Sequence, residues 1–256
     1  MVLLLIFLIC FSASVIGAIC GIGGGVIIKP VLDAFGIMDV ATISFLSGCT
    51  VLSMTTYSVI KNKCSGESHV EQKTGLPLAL GAAAGGLLGK SMFSLISSLS
   101  PDKNKVGAVQ AACLLAVTLG TLIYTIYKAR IKTCHISNPV ACIGIGVFLG
   151  ILSSFLGIGG GPINLVVLFF FFSMTTKVAA ENSLYIIFFS QIASLLSSLV
   201  TKSVPDFQLI TLVFMVGACG RKVNKKIDDK TVDKLFIGLM VLINFIKIYN
   251  IIKFVG

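Results

Sequence analysis

The chain has 256 residues, of which 56% belong to the AVILMFWYC set and 12% are charged, with a formal net charge of +10. An ordinary soluble domain carries about 25% charged residues, and the mean hydropathy here is +1.02. This excludes disorder, a coiled coil and a water-soluble enzyme domain, because so short a chain cannot bury that much apolar surface in one aqueous core. The expected class is an all-α integral membrane protein of several crossings.

In chain order, Met1–Ile28 contains no Asp, Glu, Lys or Arg. It lacks the basic flank and the cleavage site of a secretion signal, so it is expected to persist as the first membrane helix. Val40–Ile60, Val106–Tyr127, Thr133–Thr176 and Asn182–Thr201 are also free of charge. About 20 apolar residues cross ~30 Å of hydrocarbon. As one straight helix Thr133–Thr176 would measure ~66 Å, so it must turn back or break. Leu76–Leu88, Phe207–Gly220 and Leu235–Ile252 are weaker runs, with lysines near their ends or able to snorkel. The total is about eight transmembrane helices. The runs are continuous rather than alternating, which excludes a lipid-facing barrel. The eight cysteines lie mostly inside these runs with no CxxC pair, and His69 and His135 fall in loops. Such thiols behave as small hydrophobes; no metal site and no cofactor is expected.

The chain repeats itself. Gly21-Ile22-Gly23-Gly24-Gly25 recurs as Gly157-Ile158-Gly159-Gly160-Gly161, an offset of 136 residues (21 to 157). Gly86-Leu87-Leu88-Gly89-Lys90 pairs with Gly217-Ala218-Cys219-Gly220-Arg221, an offset of 131 (86 to 217). Two motifs in the same order at nearly the same offset predict two homologous membrane repeats, 1–130 and 135–256. A basic linker at 131–134, continuing the loop from Lys128, joins them. Paired repeats are the architecture of many secondary transporters, which hold substrate at the repeat interface and rock one half against the other.

Four glycines in five residues do not make a stable helix interior, each costing up to ~1 kcal/mol relative to Ala. Non-helical backbone at membrane depth persists only where protein or water satisfies its amides. Pro162 suits the first turn of a new helix, and Pro30 follows the first cluster a little later. Each cluster is therefore expected to break a helix. The N-terminus of the second piece would present free N–H groups and the positive end of a dipole to an anion. Close helix packing of the small-xxx-small kind is the alternative. The expected backbone donors are Gly23, Gly24, Gly25, Gly159, Gly160 and Gly161. A nucleotide-phosphate loop is disfavoured, since no Lys-Ser/Thr ending follows.

At these residues the sequence resembles the TauE/SafE family of sulfite exporters, also grouped as the toluene sulfonate uptake permeases. The resemblance rests on the twin GIGGG motifs. It extends to Ala41-Thr42-Ile43-Ser44, to the stretch from Ala179 to Ser190, and to the Gly-x-x-Gly sequences before Lys90 and Arg221. It implies a multi-helix permease for sulfite, sulfonates or related sulfur-containing anions. Glu181-Asn182 replaces the family's Gly-Thr, and Lys29 stands where an apolar residue is usual; both departures bear on substrate choice.

Charges inside apolar stretches need a reason. Lys29 either supplies a cation for an anionic head group or snorkels to the interface. Glu181 either caps a helix start or carries a coupling proton, and Lys177 at i−4 offers it an ion pair. Asn164, Asn182 and Gln191 are candidate polar contacts. Thr50 and Ser53 add hydroxyls in the first half. Ser183, Ser190 and Ser194 share one helix face. The remaining cations sit in loops or near the C-terminus, Lys247 and Lys253 among them. They suit anionic lipid and topology control rather than nucleic acid. Counted by side they balance; the dense 221–234 cluster marks its side as cytoplasmic.

The function expected from these features is a membrane permease or exporter of small sulfur-containing anions such as sulfite, sulfonates and sulfoacetate. It would work by alternating access with proton coupling, in the plasma (inner) membrane. The partners are a small anion, the bilayer and, where it assembles, further copies as a homo-oligomer. A membrane-embedded enzyme and a non-transporting subunit of a membrane complex are the rival classes.

Overall fold

The computed structural model describes residues 2–64, 70–99, 103–158, 160–200 and 228–255. The apolar run Phe207–Gly220, the second Gly-x-x-Gly with Arg221, and Gly159 lie outside the described residues. The elements in chain order are α1 (Val2–Cys20), α2 (Gly25–Phe35), α3 (Val40–Cys64), α4 (Gln72–Leu99) and α5 (Lys103–Tyr127). A single 3-10 turn (Lys128–Arg130) follows, then α6 (Pro139–Leu156), α7 (Pro162–Phe172), α8 (Thr176–Val200) and α9 (Asp229–Val255). No strand occurs among the described residues. Among the described residues six helices, α3, α4, α5, α6, α8 and α9, are long and apolar enough to cross a membrane.

Burial is arranged for lipid. Large apolar side chains point outward, as at Val200 (83% exposed), Val140 (76%) and Phe245 (68%). The interior is rich in polar groups, including Ser44, Gln110, Ser153, Asn164, Asn182, Gln191, Lys29 and Lys247. A water-soluble bundle does the reverse. In hydrocarbon an internal polar group is tolerated where other protein groups satisfy it.

The two glycine clusters end one helix and begin the next by the same device. Gly21 (φ +70°) and Gly157 (φ +66°) are left-handed. Beside them Ile22 N donates to Gly17 O at 3.1 Å and Ile158 N to Ser153 O at 3.3 Å. This six-to-one bond closes a Schellman cap, which needs a left-handed residue before the donor and so favours glycine. Pro162 then opens α7 at its first position, after Gly161 (φ +72°) as N-cap. In the first half, Gly24 caps α2, whose Ile27 and Ile28 amides return to Gly24 O at 3.0 Å. At 11 residues each, α2 and α7 reach only ~16 Å and cannot span hydrocarbon alone. The extended stretch before α6 covers the far end of α7: Cys134 N and Ile136 N donate to Phe170 O (2.7 Å) and Phe171 O (2.9 Å).

The breaks press on one another. A Cβ on Gly25 would lie 2.2 Å from Ile158 O, and one on Gly161 would lie 2.5 Å from Val26 Cγ2. Gly17 and Gly21 are equally filled, the first by Gly24 N at 2.6 Å and the second by Ala180 Cα at 2.3 Å. The longest seam joins α4 to α6. Cβ atoms on Gly81, Gly85 and Gly89 would fall 2.3, 2.1 and 2.4 Å from the carbonyl oxygens of Ile143, Val147 and Ile151. From the other side, Gly146 and Gly150 meet Leu78 O and Ala82 O, both at 2.2 Å. Small residues every fourth position bring the two backbones together, the usual way helices gain dispersion energy when lipid is as apolar as they are. At the α5 end, Lys128 pairs with Asp233 at 2.5 Å, and Thr176 Oγ1 donates to Asp233 Oδ1 at 3.1 Å. That clamp ties α5, α8 and α9.

This seam predicts a sharp asymmetry among glycines. Gly85→Leu should abolish the monodisperse peak of detergent-solubilised protein in size-exclusion chromatography. Gly120→Ala, with nothing within 4 Å of its Cβ position, should leave peak and melting temperature unchanged. Equal tolerance of both would refute the close seam.

Candidate functional site

Five of the long helices line a small polar cavity of about 20 Å³, partly open to the surroundings. From α3 it receives Ser44, Phe45 and Gly48, from α4 Lys90 and Phe93, and from α5 Gln110. Ser153, Ser154 and Gly157 come from the end of α6, and Gln191, Ser194, Leu195 and Ser198 from α8. Helical spacing explains the grouping: 44 and 48 lie one turn apart, and 191, 194 and 198 form a single stripe.

Lys29 lies against this cavity, 2% exposed. Its Nζ donates to Ser44 Oγ at 2.9 Å and to Gln110 Oε1 at 2.8 Å. A Cβ on Gly157 would fall 2.7 Å from Ser44 Oγ, so the first glycine of the second cluster leaves room for the serine that holds the ammonium. Gln110 is held from both ends, since its Nε2 donates to Phe155 O at 2.7 Å. Ser44 Oγ in turn donates to Val40 O at 2.8 Å. A lysine ammonium has donors and no acceptor, so both of its partners present oxygen. Lys90 adds a second cation on the cavity wall, its Nζ 5.6 Å from the Phe93 ring centroid in a cation–π contact. The hydroxyls of Ser153 and Ser154 are buried without a hydrogen-bond partner. Gln191 fits because Gly48 has no side chain: a Cβ there would lie 3.0 Å from Gln191 Oε1.

The structure thus brings Lys29, Gln191, Ser194 and Gly157 to one place. Of the glycines expected as donors, Gly23, Gly24, Gly25, Gly160 and Gly161 do not line this cavity. Gly24 packs on Ala13 of α1, Gly25 against Ile158 O, and Gly160 beside Ile187 and the Asn164 amide. Asn164 is 1% exposed and its Oδ1 has no partner, while Asn182 Nδ2 donates to Val178 O in its own helix at 2.9 Å. Ser183 and Ser190 are buried, and the Ser190 hydroxyl faces Gly86. Glu181 is half-buried in the second turn of α8, ~15 Å along that helix from Gln191.

Sequence reasoning misses Lys90, Gln110, Ser153, Ser154 and Gly48 as parts of one site. Gln110 carries a visible signal: it is the one carboxamide in the uncharged run from Val106 to Tyr127. Ser153-Ser154 directly precede a glycine cluster at the spacing of one turn.

The buried ammonium generates a prediction. Gln110→Leu removes one of its two partners and bares Phe155 O. Breaking a hydrogen bond to a buried charge should lower stability by about 2–4 kcal/mol. Lys29→Met together with Gln110→Leu should recover most of that loss in thermal unfolding of the solubilised protein. An additive double variant would show the two side chains to be uncoupled.

Comparison with known proteins agrees with this architecture. The profile of the family described as "Sulfite exporter TauE/SafE" matches residues 6–245. The chain is 25% identical over 268 aligned residues to "Probable membrane transporter protein YunE" of Bacillus subtilis (strain 168), covering 93% of this chain and 94% of that protein. No solved structure matches the chain. With its polar interior, its six apolar helices and a family profile matched over nearly its whole length, this multi-pass membrane protein belongs to the TauE/SafE sulfite exporter family, a family of membrane transporters.

Proposed function

We propose that the protein is a permease of the plasma (inner) membrane for small sulfur-containing anions, namely sulfite, sulfonates and sulfoacetate-like molecules. It works by alternating access, with protons as the coupling ion. The observation that supports this reading is the cavity among α3, α4, α5, α6 and α8. Its wall offers donors and positive charge: the Ser153 and Ser154 hydroxyls, the Gln191 amide, Lys90, and Lys29 behind Ser44 and Gln110. A sulfite or sulfonate group presents several acceptor oxygens and a delocalised negative charge, the complement of such a lining. Inside a low-dielectric interior, fixed ammonium groups hold an anion far more strongly than they would in water.

In this reading the glycine clusters are supports more than ligands. Gly25 and Gly161 let the two breaks cross, Gly23, Gly24 and Gly160 pack around that crossing, and Gly157 leaves room for Ser44, the partner of Lys29. Asn164 and Asn182 serve the approach to the cavity. The two repeats, 1–130 and 135–256 with the linker at 131–134, rock about that crossing. Counting α1 and the run 207–220 with the six long helices gives about eight crossings.

Reconstituted vesicles provide the test. Purified protein preloaded with unlabelled sulfite should exchange it for labelled sulfite, sulfoacetate or short sulfonates, and exchange carboxylates poorly. Lys29→Met and the double variant Ser153→Ala, Ser154→Ala should each weaken apparent affinity about tenfold, the value of ~1.4 kcal/mol of lost interaction. Unchanged exchange by both variants at normal assembly would sink the assignment of this cavity.

A further inference from the structure

A second buried lysine stands outside the cavity. Lys247 of α9 is 1% exposed, although its position near the C-terminus suits an interfacial cation. Its Nζ donates to Thr118 Oγ1 at 2.9 Å and lies 3.4 Å from Leu114 O, both on α5. Thr118 Oγ1 continues to Asn244 Oδ1 at 2.5 Å, and Asn244 Nδ2 is buried without a partner. Among the described residues no carboxylate comes within ion-pair distance of Lys247. An ionisable side chain placed inside a membrane bundle without a counter-charge is costly and points to a function.

The surroundings suggest which function. Gln110, Thr118, Thr121 and Thr125 are all buried on one side of α5; the three threonines follow one another turn by turn, and Gln110 stands two turns, ~12 Å, before them. The set covers ~22 Å from Gln110 to Thr125, most of the hydrocarbon thickness. One end meets Lys29 at the anion cavity; the other meets the partly exposed Lys128–Asp233 pair. Lys247 sits in the middle. Its charged neighbours are few: α1 has none, α5 has none between Lys105 and Lys128, and α2 brings Lys29 and Asp33. From α8 come Lys177 and Glu181, at the end near Asp233, and α9 itself adds Lys253. The helix carrying Lys247 also grips α2, through Asn250 Nδ2 to Pro30 O at 2.8 Å and Lys253 Nζ to Ala34 O at 3.0 Å. α2 in turn carries Lys29.

We propose that Lys247 is the proton-carrying group of the transport cycle, with the α5 hydroxyl stripe and Asn244 as its path. This rests on the anion-permease reading. In each cycle the Lys247 amine takes one H⁺ from the more acidic side, forming –NH3⁺. It releases that H⁺ to the other side as –NH2, and no other bond changes. Its charge state biases how α9 seats on α5 and α2, and so which way the cavity faces. Lysine can change charge state when buried, whereas arginine stays protonated, so Lys247→Arg is locked in one state.

Vesicle transport in two modes tests this. Anion exchange at equal pH needs no net proton movement; accumulation driven by an imposed proton gradient does. In Lys247→Met and Lys247→Arg the ratio of driven accumulation to exchange should fall at least about tenfold, within the range of linked sites. Thr118→Val, which keeps volume and removes the relay hydroxyl, should slow driven accumulation at unchanged exchange. Gradient-driven accumulation retained in Lys247→Met, or lost only in Glu181→Gln, would overturn the proposal. Wild-type vesicles that exchange no sulfur anion at all would instead overturn the permease reading, and this proposal with it.

Discussion

Where Gly25 meets the carbonyl of Ile158, no side chain fits, and the remaining architecture depends on that contact. A helix broken inside hydrocarbon exposes amides and carbonyls that lipid cannot satisfy, each at a cost of several kcal/mol. The chain meets this cost by crossing its two breaks back to back and closing each preceding helix with a Schellman bond. Left-handed glycines are required for the caps, and the missing Cβ atoms are required for the approach. The two demands fall on the same few residues, which is why the GIGGG sequence occurs in both places.

From that crossing the polar interior follows. Because α2 begins at the first break, its second turn carries Lys29 beneath the end of α6, where Gly157 makes room for Ser44. The charge is then held by α3 through Ser44 and by α5 through Gln110. The α4–α6 seam fixes the opposite wall, setting Lys90 and Ser153-Ser154 at a common depth. Surface and interior are thus inverted relative to a soluble bundle: dispersion and the lipid hold the outside, and hydrogen bonds specify the inside.

The class of the protein and the existence of both helix breaks are legible in the sequence, since uncharged runs and clustered glycines are local signals. The partners are not. That Gly25 faces Ile158, or that Gly81, Gly85 and Gly89 face Gly146 and Gly150, is decided by which helices meet. The four-residue spacing announces only that some helix comes close. Lys90 and Lys247 read as interfacial cations because a long lysine stem usually snorkels; their burial depends on which helix face turns inward. Serines and threonines are equally ambiguous, because in a helix their hydroxyls satisfy themselves on the i−4 carbonyl, as Thr121 and Thr125 do. Ser153 and Ser154 stand out only once the structure shows their hydroxyls without such bonds. The family resemblance, read from the paired glycine motif, agrees with the profile match over residues 6–245.

The proposed site places an anion among Lys29, Ser153, Ser154 and Gln191. Selenite, a heavier relative of sulfite, makes this directly visible by anomalous diffraction from crystals of the purified protein. A selenium peak is expected inside the cavity, its oxygens within hydrogen-bond reach of the Ser154 hydroxyl and the Gln191 amide, and weakened in Lys29→Met. A peak at another place in the molecule, with the cavity empty, would contradict it.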